Sequence, residues 1–361
     1  MMKKFYLLKA IIAFGLLSYD TSVFAQGDVS ALIKSGPADA TKLAQAYLNP
    51  LFKGFGIGLN SGWNNSGRAK NMGRFEVRFG ITGALIPESD KNFDVTKLGL
   101  SNNIRPVNSS QIIAPTVGGS ESTGPQLAIY DNNNELEHFT LPGGASLPFI
   151  PAPQIQGSVG LPKGIEVTLR AMPKVNLGDD RGTIGMIGGG VKIELLPLLI
   201  NKTADRLIPI DVAVALGYTK FNYTLPLSVA PPGNSVPKDN QQSTDFSNQR
   251  VEASFSGVNV ETIISKKLLF FTPFISLGYN TSKTEAMLEG NYPIITGASF
   301  PLGTRTYTTF SNPVDINKKD INGLRTNLGF QLNLAVFRLY ASYSLAEYNA
   351  FNAGLGFGIG K

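Results

Sequence analysis

The chain has no cysteine, a single tryptophan and a single histidine in 361 residues. Without cysteine there is no disulfide framework, no thiolate metal site and no lipid-bearing cysteine after a leader. With His138 as the lone imidazole, His-based zinc sites and Ser–His arrangements lack their partners. No G-x-S-x-G nucleophile elbow occurs, and nothing marks a catalytic carboxylate pair. The chain therefore reads as a non-enzyme without cofactor or metal. Charge is also scarce, at 16% of residues. The formal charge of +6 falls to +4 once the three lysines and one aspartate of the first 25 residues are set aside. That excess is scattered rather than gathered in a stripe, which argues against nucleic acid as a partner. Beyond residue 25 there is no run of eighteen apolar residues, so no membrane helix is expected.

What the chain has is glycine, 39 residues of it, and a two-residue rhythm. Residues 53–63, KGFGIGLNSGW, set Phe55, Ile57, Leu59 and Trp63 against Gly54, Gly56, Gly58, Asn60 and Gly62. Residues 74–85 set Phe75, Val77, Phe79 and Ile81 against Glu76, Arg78, Gly80 and Thr82. A period of two with one apolar face predicts β-strands. Glycine and charge on the other face predict a closed barrel in lipid, apolar outward and polar inward. The rhythm recurs through residues 154–161, 165–170, 186–193, 210–219, 251–263, 274–280, 325–334, 337–344 and 351–360. In residues 251–263 it changes phase near Gly257, read here as a bulge.

That makes about eleven strands. Because single-chain bacterial barrels close with an even number, residues 92–98 are the candidate twelfth. A spanning hairpin at residues 126–140 would raise the number to fourteen. The expected fold class is all-β: an outer-membrane barrel of about 12–14 antiparallel strands with a short N-terminal helical plug. Short turns are expected at residues 162–164, 265–267 and 334–336, and long extracellular loops at 101–152, 225–249 and 285–321. The link at residues 195–207 is expected to hold a short helix.

Lys3, Lys4 and Lys9, an apolar run at residues 10–17, and Val23-Phe24-Ala25 before Gln26 form a secretory signal peptide cleaved between Ala25 and Gln26. The domain reading is residues 1–25 signal, 26–52 hatch, and 53–361 barrel. Residues 37–48 read as a helix, with Pro37 at the first helical position and Leu43, Ala44, Tyr47 and Leu48 on one side. The alternation turns eight charges into the lumen: Glu76, Arg78, Glu166, Arg170, Lys192, Asp211, Arg325 and Arg338. Both signs are present on adjacent strands, which favours an internal salt-bridge lattice over a selectivity lining.

Three motifs read blandly. The run Gly185 to Gly190 has the spacing of a nucleotide loop, but a strand continues through it where a helix is required. Its glycines are expected to make room for something inside the barrel. Residues 131–135, DNNNE, form a hairpin turn before a calcium loop, since Leu136 replaces the needed glycine. Asp179-Asp180 is a solvated turn.

Residues 46–52, AYLNPLF, followed by Gly54-Phe55-Gly56, resemble the end of the hatch in FadL-type transporters, with Leu51-Phe52 standing where Ala-Gly is usual. The resemblance implies a hatch at Tyr47, Asn49, Pro50 and Phe52 and passive uptake of a small hydrophobic molecule. Residues 58–65, 154–173, 185–193, 209–211 and 217–220 are similar to an uncharacterised family of Bacteroidetes outer-membrane proteins. The location implied is the outer membrane of a Gram-negative bacterium, with its lipid as the first partner. The alternative is an accessory barrel that docks with a surface lipoprotein or a secretion complex.

Overall fold

A computed structural model describes residues 32–131, 134–178, 181–199, 210–299 and 304–359. The signal peptide with its Ala25–Gln26 cleavage site lies outside the described residues, as do Asp179-Asp180, the tip of the 131–135 turn and most of the 195–207 link. Within that link Leu196–Leu199 forms a helical turn.

Ten antiparallel strands close into one barrel. In chain order they are β1 (Phe75–Leu85), β2 (Phe149–Leu161), β3 (Ile165–Asn176), β4 (Thr183–Glu194) and β5 (Asp211–Pro226). They continue with β6 (Arg250–Ser265), β7 (Phe271–Glu289), β8 (Val314–Leu334), β9 (Phe337–Leu345) and β10 (Ala350–Ile359). Each strand pairs with its neighbours in sequence, and β1 closes on β10 from Phe75↔Ile359 to Ala84↔Ala350. Outward positions stay exposed and apolar, with Leu169 at 58%, Leu277 at 58% and Leu328 at 67%. A contiguous apolar belt of that kind has no place in water and is the lipid face of a membrane barrel. Glu76, Arg78, Gln154, Glu166 and Arg170 are buried on the inner face.

The expected 12–14 strands are corrected to ten. Residues 53–60 do not pair in any sheet; they finish a 24-residue helix, α1 (Pro37–Asn60), that stands inside the barrel. The barrel therefore starts at Phe75 rather than at residue 53, and the plug extends well past residue 52. Without residues 53–63 the eleven expected strands become ten, an even number. The candidate at residues 92–98 is a three-residue strand, Asn92–Asp94, paired outside the wall with Ile113–Pro115, followed by a 3-10 turn. Residues 126–140 do form a hairpin, yet it pairs with Ile104–Pro106 in a separate sheet and does not span.

No bulge interrupts β6, whose register runs unbroken against both neighbours through Gly257. What changes along β6 is polarity: Phe255 faces inward in the outer half of the lumen, while Asn259 and Glu261 face inward below it. The register shift falls between Ser282 and Lys283 of β7, where Asp320 of β8 is left over.

Short turns connect β2–β3, β6–β7 and β8–β9 at one end, as expected. At the other end the links 86–148, 227–249 and 290–313 are long. Their small sheets, including Ser235–Pro237, Asn291–Ser299 and Thr304–Ser311, cap the barrel. The cap and α1 share one apolar cluster in which Leu43, Tyr47, Leu127, Phe139 and Tyr292 are buried.

Candidate functional site

The functional question is what fills the lumen and how it is held. Residues 37–74 pass through it, and the wall grips them in three tiers.

The outer tier is apolar with one polar latch. Phe55 lies 5.4 Å from Phe221 and 5.2 Å from Phe255 between ring centroids, and Phe52 lies 6.1 Å from Phe255. On the other side of α1, Lys53 pairs with Asp90 at 3.1 Å and Glu347 at 3.0 Å, and Tyr348 donates to Asp90 at 2.6 Å. Burial alone would raise the Asp90 carboxyl. Hydrogen bonds from Tyr348 and Lys53, together with the Lys53 charge, outweigh it and hold the carboxyl below its ordinary value. Lys318 donates to Asn49 at 2.7 Å, and a cavity of about 440 Å³ opens beside these residues between α1 and the first long link.

The middle tier clamps the C-terminus of α1. The last carbonyls of a helix have no partners within it, and here the polar wall supplies them. Arg170 from β3 donates to the carbonyls of Leu59 at 2.8 Å and Ser61 at 2.9 Å. Arg325 from β8 donates to the carbonyl of Asn60 at 2.8 Å. Two fixed cations at this end also complement the helix dipole. Arg170 stacks on Trp63 with 4.0 Å between its guanidinium carbon and the ring centroid. A Cβ at Gly217 would fall 2.5 Å from the Trp63 ring and one at Gly190 2.8 Å, so these lumen glycines form the indole's seat.

The inner tier straps residues 64–70 to the wall with carboxylates. Glu194 accepts the Ala69 amide at 3.0 Å, and Glu166 accepts the Lys70 amide at 3.0 Å. Lys70 also pairs with Glu166 at 3.0 Å and Glu76 at 3.2 Å, while Lys192 reaches Glu166 at 3.1 Å. Arg338 holds Glu76 at 2.6 Å, and Arg78 lies 3.5 Å from it. Asn64 donates to Glu261 at 3.0 Å, and Arg68 lies 3.5 Å from Asp211 at the rim.

All eight charges expected in the lumen lie on inner faces, and five of them, Glu76, Arg78, Glu166, Lys192 and Arg338, join in one ion-pair network through Lys70 of the strap. Arg170 and Arg325 instead serve the helix end, and Asp211 meets Arg68 at the rim. Of the hatch residues, Tyr47, Pro50 and Phe52 are buried within α1, and Asn49 joins the latch. The glycine-rich run 185–190 lies inside β4, and its inward glycines make room as expected. Sequence reasoning missed Lys70, Glu194 and Glu261. Glu194 and Glu261 alternate in phase with Lys192 and Asn259, a signal that could have placed them; Lys70 stands in no periodic segment and had none.

A family model described as a family of unknown function (DUF6588) matches residues 2–359. No curated protein matches. Among solved structures, the chain is similar to the attachment invasion locus protein Ail of Yersinia pestis, at 8% identity, 80% of this chain, 99% of that chain and TM-score 0.26. It is similar to the translocator domain of autotransporter NalP from Neisseria meningitidis, at 8% identity, 91% of this chain, 99% of that chain and TM-score 0.30. It is also similar to the toluene transporter TodX of P. putida, at 12% identity, 92% of this chain, 75% of that chain and TM-score 0.24. Likenesses this distant say nothing of a substrate.

Proposed function

The chain belongs to this family of unknown function, and from its threaded lumen we propose a plugged outer-membrane barrel for passive uptake of a small hydrophobic molecule, with residues 37–70 as the gate. The carrying observation is the apolar outer half of the lumen. There Phe221 and Phe255 turn inward onto Phe55 of α1, where a water-filled pore would carry polar side chains. A lipophile entering under the cap would meet aromatic walls first and the polar strap last. The resemblance of residues 46–56 to the FadL-type hatch supports this reading, as does the similarity to Bacteroidetes outer-membrane proteins for a Gram-negative outer membrane.

The test uses the absence of native cysteine. A Cβ at position 257 would lie 3.1 Å from the Cγ of Asn60, near the ~3 Å between a Cβ and its partner's sulfur in an unstrained disulfide. The double variant Asn60→Cys/Gly257→Cys should lock the plug to β6. Uptake of a labelled lipophile into vesicles should stop on oxidation and return on reduction. Equal uptake in both states would reject the gate.

A second reading, a non-transporting accessory barrel, is favoured by the ordered sheets of the cap, which offer a docking platform to a surface lipoprotein or secretion complex. It predicts no uptake in either redox state and loss of a stoichiometric protein partner when residues 291–311 are replaced.

A further inference from the structure

α1 runs inward from the cap. At its start Lys34 pairs with Glu137 of the cap hairpin at 2.8 Å, and Asp39 accepts the Ser101 amide at 3.0 Å. Leu32 and Ile33 are buried in the same apolar cluster as Leu127 and Phe139 of that hairpin. At its other end Asn60 is clasped by Arg325 and donates to the carbonyl of Thr281. The strap then descends past Ser265 and Glu194, residues at the short-turn ends of β6 and β4, and β1 begins opposite the last residues of β10. Between residues 32 and 75 the chain thus traverses the barrel once, lengthwise. A 24-residue helix is about 36 Å long, comparable with the roughly 30 Å of a bilayer's apolar core.

We propose that the barrel is closed around its own N-terminal segment and presents the start of that segment, from Leu32 through the first turn of α1, on the outer face of the membrane. The proposal rests on the outer-membrane orientation given above, with long links outward and short turns toward the periplasm. It also constrains the gate. With the start of α1 anchored in the cap and the strap anchored at the short-turn end, withdrawing the segment toward the periplasm must release both anchorages, although it breaks no pair of the wall. A smaller opening must break the strap locally.

Single cysteines in this cysteine-free chain test the threading. Ala38 is exposed in the first turn of α1, Lys238 is exposed in the link 227–249, and Lys267 is exposed in the β6–β7 turn. Each would be replaced by cysteine in the full-length protein and treated on intact cells with a membrane-impermeant maleimide. Heat-modifiable mobility would establish that each variant is folded. Ala38→Cys and Lys238→Cys should label to the same extent before and after permeabilisation, and Lys267→Cys only after it. Labelling of Lys238→Cys on intact cells, with Ala38→Cys reacting only after permeabilisation, would overturn the threading and leave the orientation standing. Labelling of Lys267→Cys alone on intact cells would reverse the orientation, and the proposal would fall with it. Should Ala38→Cys not fold, Lys42→Cys, one turn further along α1 with a side chain 42% exposed, gives the same readout.

Discussion

The guanidinium of Arg170 stands where water would otherwise satisfy the last carbonyls of α1. It is fully buried, it bonds to two plug carbonyls and to Gln156, and it lies over the Trp63 ring. Arg170→Ala leaves the Ser61 carbonyl unpaired, at about 1–3 kcal/mol for a buried unpaired group, leaves the Leu59 carbonyl only its bond from the Thr219 hydroxyl, and removes the indole's cover. Because Trp63 is the only tryptophan, fluorescence reports on the plug alone. The variant should show red-shifted emission and stronger acrylamide quenching while keeping the heat-modifiable mobility of a closed barrel. Unchanged quenching would mean that the clamp is redundant with Arg325. The glycine seat gives the converse case. Gly217→Val drives a side chain into the Trp63 ring and should destabilise the plugged state by roughly 1–3 kcal/mol, the usual cost of overpacking. Trp63→Ala added to it should recover most of that loss. If the double variant is as unstable as the single one, the glycine serves the strand and not the indole.

α1 shows where sequence reading holds and where it stops. The wall was legible because one face of each strand meets lipid and the other meets the plug, so the period of two survives in nearly every strand. The plug was legible only to residue 48. Beyond it, Gly54 and Gly58 pack against Ile150 and Ala152 on one side, and Gly56 packs against Ser282 and Ile321 on the other. A helix enclosed by a narrow wall needs small residues on opposite sides, and here that spacing imitates a strand. Three interior glycines cost about 1 kcal/mol each in helix propensity. The lumen outweighs this, because a backbone shielded from water must bond to itself. The latch was illegible for a different reason: Lys53, Asp90 and Tyr348 come from three separate segments. Its pH dependence follows from its charges. Asp90 titrates lower in the folded protein than its ordinary 3.8, so its contribution is complete above that value and is lost as pH falls through the lowered one. Hydrogen exchange of residues 49–55 should therefore be protected across neutral pH, after correction for intrinsic rates, and should loosen in strong acid. Asp90→Asn should weaken the protection at neutral pH and flatten the acid limb; an acid limb identical to that of the parent would place the titrating group elsewhere.

At the scale of the whole molecule, the barrel and its plug have exchanged the usual duties of a core. In a soluble protein the apolar cluster lies at the centre and charge lies outside. Here the apolar side chains face lipid, and the wall reaches the plug's inner half through charge and hydrogen bonds. A plug held in this way is specific in register, since Arg170, Arg325, Glu166 and Glu194 each meet a particular backbone group. It is also removable in principle without unpicking a single strand pair, because the ten-strand ladder closes on itself and takes no hydrogen bond from α1 to do so. Deleting residues 37–70 should accordingly leave a barrel of unchanged sheet content with a vacated lumen about as wide as the helix it held, on the order of 10 Å with side chains. In planar bilayers the parent protein should be silent, and the deletion variant should give steady ohmic channels. Their ion selectivity should be weak, because Arg78, Arg170, Lys192, Arg325 and Arg338 would then line the opening against Glu76, Glu166, Glu194, Glu261 and Asp211, equal numbers of both signs. A variant that inserts with native circular dichroism and conducts nothing would show that the wall collapses once unplugged, and that the plug is a structural core rather than a gate.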